Sequence, residues 1–298
     1  MAPIVGGMEL PLPEEIVTGI RRRPLAVKTF GITDQGRVRA ANEDQFLIAE
    51  LTKTMRIWHA SLPDAKAQFG DERGHLFLVA DGMGGHQGGE EASALAVLAI
   101  QQFTLNTLKW FFESKQEAQS VLGQFQTALR QADARIREQA AEHQELSGMG
   151  TTVTMAYHLD AQLCVVHVGD SRAYLFRDDQ LDQLTRDHTL VAELIQSGAI
   201  QPAEVAAHRF RHVITNVVGG NDVGVIVEAH AVEVQAGDRL LLCSDGLTEM
   251  VTNDAIAATL RAETEPEPAC RALVTQANEA GGRDNITVVI VRFDAADP

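Results

Sequence analysis

The sequence has few cysteines, few aromatic residues and no long apolar run. Its three cysteines, Cys164, Cys243 and Cys270, are far apart, and two of them lie inside apolar, strand-like segments. This pattern indicates buried, reduced thiols and offers no Cys-x-x-Cys zinc site. No window reaches the roughly eighteen uncharged apolar residues that a membrane-spanning helix needs, and the first residues lack a basic-then-apolar signal pattern. We therefore expect a cytoplasmic protein without a membrane span.

Basic residues are also scarce. The chain contains 25 Lys and Arg against 41 Asp and Glu, which gives a formal net charge of −16. Such an excess of carboxylates repels a phosphate backbone, so a nucleic acid is not an expected partner. The apolar share of 45% is ordinary for a globular protein and can supply a sizeable core.

The hydrophobic pattern divides the chain into a lead-in and one domain. Residues 1–24 hold four prolines and the basic trio Arg21 to Arg23, which predicts an irregular lead-in. Residues 25–295 form the predicted single domain. Strands are predicted at residues 25–36, 42–51 and 76–80, with a polar connection at 52–75. Two helices follow, one from Glu90 and one along the apolar face from Leu122 to Ile136. Antiparallel strands and shorter helices fill the remainder, which favours an α+β fold with helices covering sheets.

Aspartates stand at the ends of four apolar strands. Asp81, Asp170 and Asp245 each follow such a run, and Asp284 precedes one. A single Asp-Gly after a strand is typical of a turn, because Gly tolerates positive φ and Asp bonds neighbouring backbone. The fourfold repetition instead predicts that these carboxylates converge.

Converging carboxylates repel one another unless a cation neutralises them. The candidate ligands all offer oxygen atoms, which favours hard ions such as Mg²⁺ or Mn²⁺ over zinc. Two such ions sharing a bridging carboxylate can activate water for hydrolysis of a phosphate ester. Arg39 lies just before the acidic pair Glu43 and Asp44, where its guanidinium can grip two phosphate oxygens. The candidate ligands are Glu43, Asp44, Asp81, Asp170, Asp245, Glu249 and Asp284.

The glycine-rich stretch after Asp81 does not match other phosphate-binding loops. It lacks the Gly-Lys-Ser/Thr of a Walker loop and the G-x-G-x-x-G spacing of dinucleotide or kinase loops. Its glycines are better explained by a tight turn that lets a main-chain carbonyl, such as that of Gly82, approach a metal.

Seven motifs in order resemble the bacterial branch of the metal-dependent protein phosphatase family, also called protein phosphatase 2C or PPM. The resemblance spans about residues 25 to 293 and rests on "RAANED", "VADGMGGHQGGEEAS", "GMGTT", "VGDSRAYLF", "TRDHT", "LCSDGLTE" and "GGRDNITVV". It implies a four-layer αββα sandwich, in which two antiparallel sheets are flanked by helices and the metals lie in a cleft at one end.

The resemblance also implies a role for each matching residue. Asp81 would bridge two ions, Asp245 and Asp284 would complete the ligands of one, and Glu43 with the Gly82 carbonyl would hold the other. Asp44 would orient the attacking water and Arg39 would hold the phosphate. Asp170 with Asp245, joined by Glu249, would form a weaker third metal site.

One position departs from the family pattern. Animal members carry a histidine directly after the Asp-Gly, proposed to protonate the leaving group, and this chain has Met83 there. His86 is an alternative donor, although a loop histidine is more often only solvated. His188 is interpreted as structural. Residues 191–223 correspond to the variable flap beside the cleft, where Arg209 and Arg211 can meet a phosphopeptide or simply face solvent.

Three functions remain open from the sequence. The first is hydrolysis of phosphoserine and phosphothreonine in proteins by metal-activated water, opposing a Ser/Thr kinase. The second is an inactive relative that binds partners through the same fold. The third keeps the chemistry but acts on a regulator of the anti-anti-sigma kind. We expect a monomer whose partner is a phosphorylated protein, such as a kinase or its targets.

Overall fold

The computed structural model describes residues 25–55, 68–84, 88–106, 118–220 and 224–296. The predicted lead-in at 1–24 lies outside these residues. None of the helices in the described ranges combines the length and hydrophobicity of a transmembrane span.

Twelve strands and six α-helices are found in the described part of the chain. The strands are β1 Leu25–Asp34, β2 Asp44–Met55, β3 Gln68–Met83, β4 Gly150–Thr151, β5 Val153–Leu159, β6 Gln162–Val168, β7 Arg172–Arg177, β8 Gln180–Gln183, β9 Val218–Gly219, β10 Glu228–Glu233, β11 Arg239–Cys243 and β12 Ile286–Ala295. The helices are α1 Gly88–Asn106, α2 Ala118–Glu142, α3 Leu190–Gln196, α4 Asp245–Thr248, α5 Asn253–Ala262 and α6 Pro266–Glu279.

The strands form two antiparallel sheets. One has the order β1-β12-β11-β7-β8, and the other has the order β10-β6-β5-β3-β4-β9 with β2 paired to β3. Every strand pair is antiparallel. The predicted α+β class is therefore confirmed.

Three apolar clusters separate four layers. Side chains alternate along the central strands, so that Phe77 and Val79 of β3 face the other sheet while Leu76 and Leu78 face helices α1 and α2. In the second sheet, Leu242 of β11 enters the layer between the sheets, whereas Leu241 packs with α5 and α6. Strands buried on both faces have continuous apolar sequences, as β3 and β11 do. The αββα sandwich is confirmed.

The three cysteines are buried and free, as the sequence predicts. Burial raises the pKa of the Cys164 thiol to about 11 and that of Cys243 to about 12. They therefore fill apolar space as protonated thiols.

The predicted polar connection at 52–75 is partly wrong. Strand β2 continues to Met55 and β3 begins at Gln68, so the two strands form a long hairpin with a register shift between Thr52 and Thr54. Backbone pairing alone can extend a hairpin beyond its apolar part, and such an extension leaves no alternating apolar signal.

A buried histidine lies between the two sheets. His158 of β5 is 2% exposed, and its ring centroid is 4.8 Å from that of Phe293 in the opposite sheet. His158 also lies directly opposite His75 on β3, with 3.5 Å between the two Nδ1 atoms. Burial, followed by the charge of His75, lowers the pKa of His158 to about 4.

We expect this histidine to make the fold sensitive to acid. The unfolded chain protonates His158 near pH 6.5, whereas the folded chain resists protonation to about pH 4, so stability is lost as the pH falls between these values. Between pH 7 and 5, wild type should lose about 2 kcal/mol of unfolding free energy more than His158→Leu. Urea unfolding at both pH values measures this difference. Phe293→Leu, which alters the same contact but keeps the histidine, should retain the wild-type slope, and equal slopes in wild type and His158→Leu would contradict the assignment.

Candidate active site

A cleft opens at one end of the sandwich, where strands of both sheets end near one another. It encloses a cavity of about 520 Å³. Seven of the predicted site residues line it: Arg39, Glu43, Asp81, Gly82, Asp245, Glu249 and Asp284. Asp44 is buried and is not part of the lining, and Asp170 lines an adjoining cavity of about 360 Å³ together with Asp245 and Glu249.

The β2–β3 pair positions two of the carboxylates. Asp44 and Asp81 are directly opposite each other in the antiparallel register. The Gly82 N–H donates to the Glu43 carbonyl at 3.2 Å, which extends this pairing by one residue. Thr152 fixes Asp81 from the other side, since its Oγ1 accepts from the Asp81 N–H at 3.0 Å and its N–H donates to the Asp81 carbonyl at 2.9 Å. The backbone of Asp81 is thus held on both edges.

The glycines after Asp81 are required by close packing. A Cβ on Gly82 would overlap the Gly89 carbonyl, and a Cβ on Gly89 would lie 2.7 Å from Cδ of Glu43. These two glycines let the start of α1 lie against Glu43, with Gly82 between them. The glycine-rich stretch therefore shapes the cleft. His86, the alternative acid, lies outside the described residues.

Asn285 holds the loop that carries Arg39 and Glu43. Its Nδ2 donates to the carbonyls of Gln35 and Ala41 at 3.0 and 2.9 Å, and its Oδ1 accepts from the Glu43 N–H at 2.8 Å. Asn285 also follows Asp284 directly, so the same residue fixes two parts of the cleft. Sequence reasoning did not assign this role, because the three bonds connect residues more than 240 positions apart.

Asp44 connects the two sheets beneath the cleft. Its Oδ2 accepts from Ser244 Oγ and from Thr287 Oγ1, both at 2.7 Å. Burial raises the pKa of Asp44 to about 6, although the two hydroxyl hydrogen bonds favour the ionised form. Ser244 and Thr287 were missed in the sequence because a hydroxyl beside a strand end carries no signal of its own.

Burial and the charges of neighbouring carboxylates also raise the pKa of Asp81, Asp170 and Asp245. Burial, followed by the charge of Asp44, raises the pKa of Asp81 well above its usual range, and burial followed by the charge of Asp170 does the same for Asp245. Burial and the charge of Asp187 raise the pKa of Asp170 to about 7. Asp81, Asp245 and Asp284 line one cavity, and Asp170 lines the adjoining cavity with Asp245, so the four aspartates converge.

Several buried carboxylate oxygens have no hydrogen-bond donor within the described residues. They are Oδ1 of Asp44, of Asp170 and of Asp245. A buried carboxylate oxygen without a donor is costly unless a cation approaches it. An all-oxygen donor set with these vacant lone pairs fits hard divalent cations.

Arg39 reaches into the acidic cluster from the β1–β2 loop. Its Nη2 lies 2.5 Å from Oδ2 of Asp284, and this hydrogen bond raises the pKa of Arg39. The side chain remains 52% exposed, so part of the guanidinium fork faces the cleft. It is placed to receive an anion there.

Three residues of the predicted flap, Arg211, His212 and Ile214, line the cleft. His188 Nδ1 accepts from the Gly169 N–H at 3.1 Å and from Asn216 Nδ2 at 2.9 Å, and the Thr215 N–H donates to the His188 carbonyl at 2.8 Å. Earlier in the same segment, Nδ1 of His212 lies 2.5 Å from Oε1 of Glu249. His212 lines the cavity and was not singled out in the sequence. Met83, the residue that replaces a histidine, also lines it and is 38% exposed.

His188 belongs to a second group of potential metal ligands with His167 and Glu228. Nε2 of His167 lies 3.0 Å from the Gly169 carbonyl and 3.2 Å from the Arg186 carbonyl, and its Nδ1 lies 2.8 Å from Thr154 Oγ1. Because protein atoms already contact both ring nitrogens of His167, this group supports the flap rather than an ion.

Comparison with known proteins places the chain among phosphatases. The family model described as protein phosphatase 2C matches residues 60–279. The serine/threonine phosphatase Stp of Listeria innocua is 32% identical over 259 residues, which cover 87% of this chain and 93% of that protein.

Two further matches are to the phosphatase PstP, one to its sequence and one to a solved structure of its catalytic domain. The serine/threonine protein phosphatase PstP of Mycobacterium tuberculosis is 34% identical over 269 residues, and this chain spans only 45% of its length. A solved structure of the catalytic domain of PstP in complex with two manganese ions is 33% identical, with a TM-score of 0.70 over 91% of this chain and 99% of that one. With a family model across most of its length and relatives above 30% identity, the chain belongs to the protein phosphatase 2C family.

Proposed function

We propose that this protein removes phosphate from phosphoserine and phosphothreonine in proteins, using divalent cations held in the cleft. One observation carries the proposal: the cavity gathers Glu43, Asp81, the Gly82 backbone, Asp245 and Asp284 around Arg39, although these residues come from distant parts of the chain. The three cysteines are buried and free, so none is offered as a nucleophile.

The residues suit two principal ion sites. Asp81 would bridge both ions, Asp245 and Asp284 would complete one site, and Glu43 with the Gly82 carbonyl would complete the other. The two manganese ions of the PstP catalytic domain support this number. Asp170, Asp245 and Glu249 would hold a weaker third ion, which is consistent with their shared cavity. Mn²⁺ and Mg²⁺ both fit the oxygen ligands.

When bound, two such cations lower the pKa of water and neutralise charge on the phosphoryl oxygens. The protein's own groups orient the reactants. Asp44 does not line the cavity, but its Oδ1 has no donor within the described residues and would orient the attacking water from behind the lining. Arg39 holds two phosphoryl oxygens in line with that water. Met83 cannot protonate the leaving oxygen, so that proton must come from another group or from solvent.

The physiological setting is part of the same proposal. The protein would act in the cytoplasm as a monomer and oppose a Ser/Thr kinase, with the kinase or its targets as phosphorylated partners. The names of the relatives support a phosphoprotein substrate.

We expect hydrolysis of p-nitrophenyl phosphate in Mn²⁺ or Mg²⁺ and its loss in EDTA. Asp81→Asn should lower kcat by about a hundredfold or more, because the ions that stabilise charge in the transition state lose their shared ligand. Isothermal titration should show weaker Mn²⁺ binding by the same variant. Asp182→Asn, an exposed carboxylate on β8, provides the matched control. Wild-type protein that binds Mn²⁺ but hydrolyses nothing would favour the inactive, partner-binding alternative.

Arg39→Ala should weaken the binding and orientation of the substrate's phosphate group. We expect kcat/KM for p-nitrophenyl phosphate to fall about ten- to hundredfold, since a charge-assisted hydrogen bond contributes about 1.5–3 kcal/mol. Arg37→Ala removes an exposed arginine two residues away and serves as the control. Unchanged kinetics in Arg39→Ala would remove this residue from the site.

A further inference from the structure

Two arginines at the cleft have no acidic partner. Many arginines of this acidic chain pair closely with carboxylates, for example Arg172 with Asp187 at 2.6 Å and Arg177 with Asp238 at 2.5 Å. Arg211 and Arg283 form no ion pair or side-chain hydrogen bond with the residues that the structure describes. Both are exposed. Their guanidinium groups are therefore not held in close ion pairs, although Asp245 and Glu249 line the same cavities.

Both arginines stand where the two cavities of the cleft meet. Arg211 and Arg283 line the 520 Å³ cavity that contains Arg39 and Asp81, and they also line the adjoining 360 Å³ cavity. Only Asp245 and Glu249 share this position with them. An anion held by both arginines would therefore lie beside a phosphate held by Arg39, not in its place.

The backbone positions of the two arginines are fixed by separate elements. The Arg211 N–H donates to the His208 carbonyl at 3.2 Å, and the next residue, His212, contacts Glu249. The turn before Arg283 is held because the Gly282 N–H donates to the Ala277 carbonyl at 2.9 Å and the Gly282 carbonyl accepts from the Arg37 N–H at 2.7 Å. Fixed backbones with exposed guanidinium groups, both lining the same two cavities, give two cations that can bind one ligand together.

We propose that Arg211 and Arg283 form a second anion-binding subsite, which takes a carboxylate or a second phosphoryl group of the protein substrate, a few residues from the phosphate that is removed. This inference rests on the proposed phosphatase function. A guanidinium group can bind two oxygens of a carboxylate or of a phosphoryl group. Each residue of an extended peptide spans about 3.3–3.6 Å, so a neighbouring substrate residue can reach the adjoining cavity. The subsite selects substrates with an acidic or doubly phosphorylated segment.

The test uses the full chain with Mn²⁺ and a matched series of phosphothreonine peptides. The peptides differ only at one position, which lies two or three residues before or after the phosphothreonine. This position holds Gln, Glu or a second phosphothreonine. Mass spectrometry follows each phosphate separately. Wild type should show a kcat/KM about tenfold higher for the best anionic peptide than for its Gln counterpart. Arg211→Ala and Arg283→Ala should each lower this ratio about threefold or more, and the double variant should abolish it.

Controls separate a subsite from a general charge effect. Arg130→Ala, an exposed arginine on α2, should keep the wild-type ratio, and Arg283→Glu should favour the Gln peptide. Circular dichroism of each variant checks folding. If only the peptide with the second phosphate has a higher kcat/KM than the Gln peptide, the subsite binds phosphoryl groups. If only the Glu peptide does, the subsite binds carboxylates.

Two results would overturn the inference alone. One is wild-type enzyme that hydrolyses every peptide without preference, and the other is a preference that survives in the double variant. Wild-type protein that hydrolyses neither the peptides nor p-nitrophenyl phosphate in Mn²⁺ would instead overturn the proposed function, and the subsite with it.

Discussion

The mutual repulsion of buried carboxylates governs this structure. Asp44, Asp81, Asp170 and Asp245 lie where burial raises the pKa of each, and the charge of a neighbouring carboxylate adds to the effect. A fold gains nothing in stability from such an arrangement on its own, because unpaired buried charge is costly. The arrangement becomes reasonable once divalent cations provide the missing positive charge. Under the proposed function, the cleft lowers the stability of the fold and would gain cation binding in return.

The surrounding fold makes this cluster possible by holding its backbone rigidly. Central strands packed on both faces end at the cleft, and Thr152 and Asn285 fix the segments that continue from them. Gly82 and Gly89 then allow main chain and side chain to approach more closely than any larger residue would permit. Both conditions are needed, because a ligand set loses affinity when its supporting contacts can relax.

The apolar pattern predicted an α+β fold with helices covering sheets, and the family resemblance supplied the four-layer order. Many residues of the cavity lining could also be predicted, because they belong to local motifs. Strands such as β3 carry continuous apolar residues, and Asp81, Asp245 and Asp284 stand at strand ends inside recognisable motifs. The extent of the β2–β3 hairpin was not predictable, because backbone pairing beyond the apolar part has no side-chain pattern. Ser244, Thr287 and His212 were missed for a related reason: their roles arise from contacts between residues far apart in sequence. Arg211 was noted only as a basic residue of the predicted flap, and the role of Arg283 appears only from the two cavities that it lines together with Arg211.

The contacts of Asp44 have a mechanical consequence. This residue belongs to β2 of one sheet, yet its Oδ2 is held by hydroxyl groups at β11 and β12 of the other. The two sheets are thus fastened together directly beneath the cleft, so that sliding of one sheet over the other would pull on the carboxylate. These hydrogen bonds oppose shear between the layers at this end of the sandwich, and a ligand that stiffens the cleft would damp the relative motion of the two sheets.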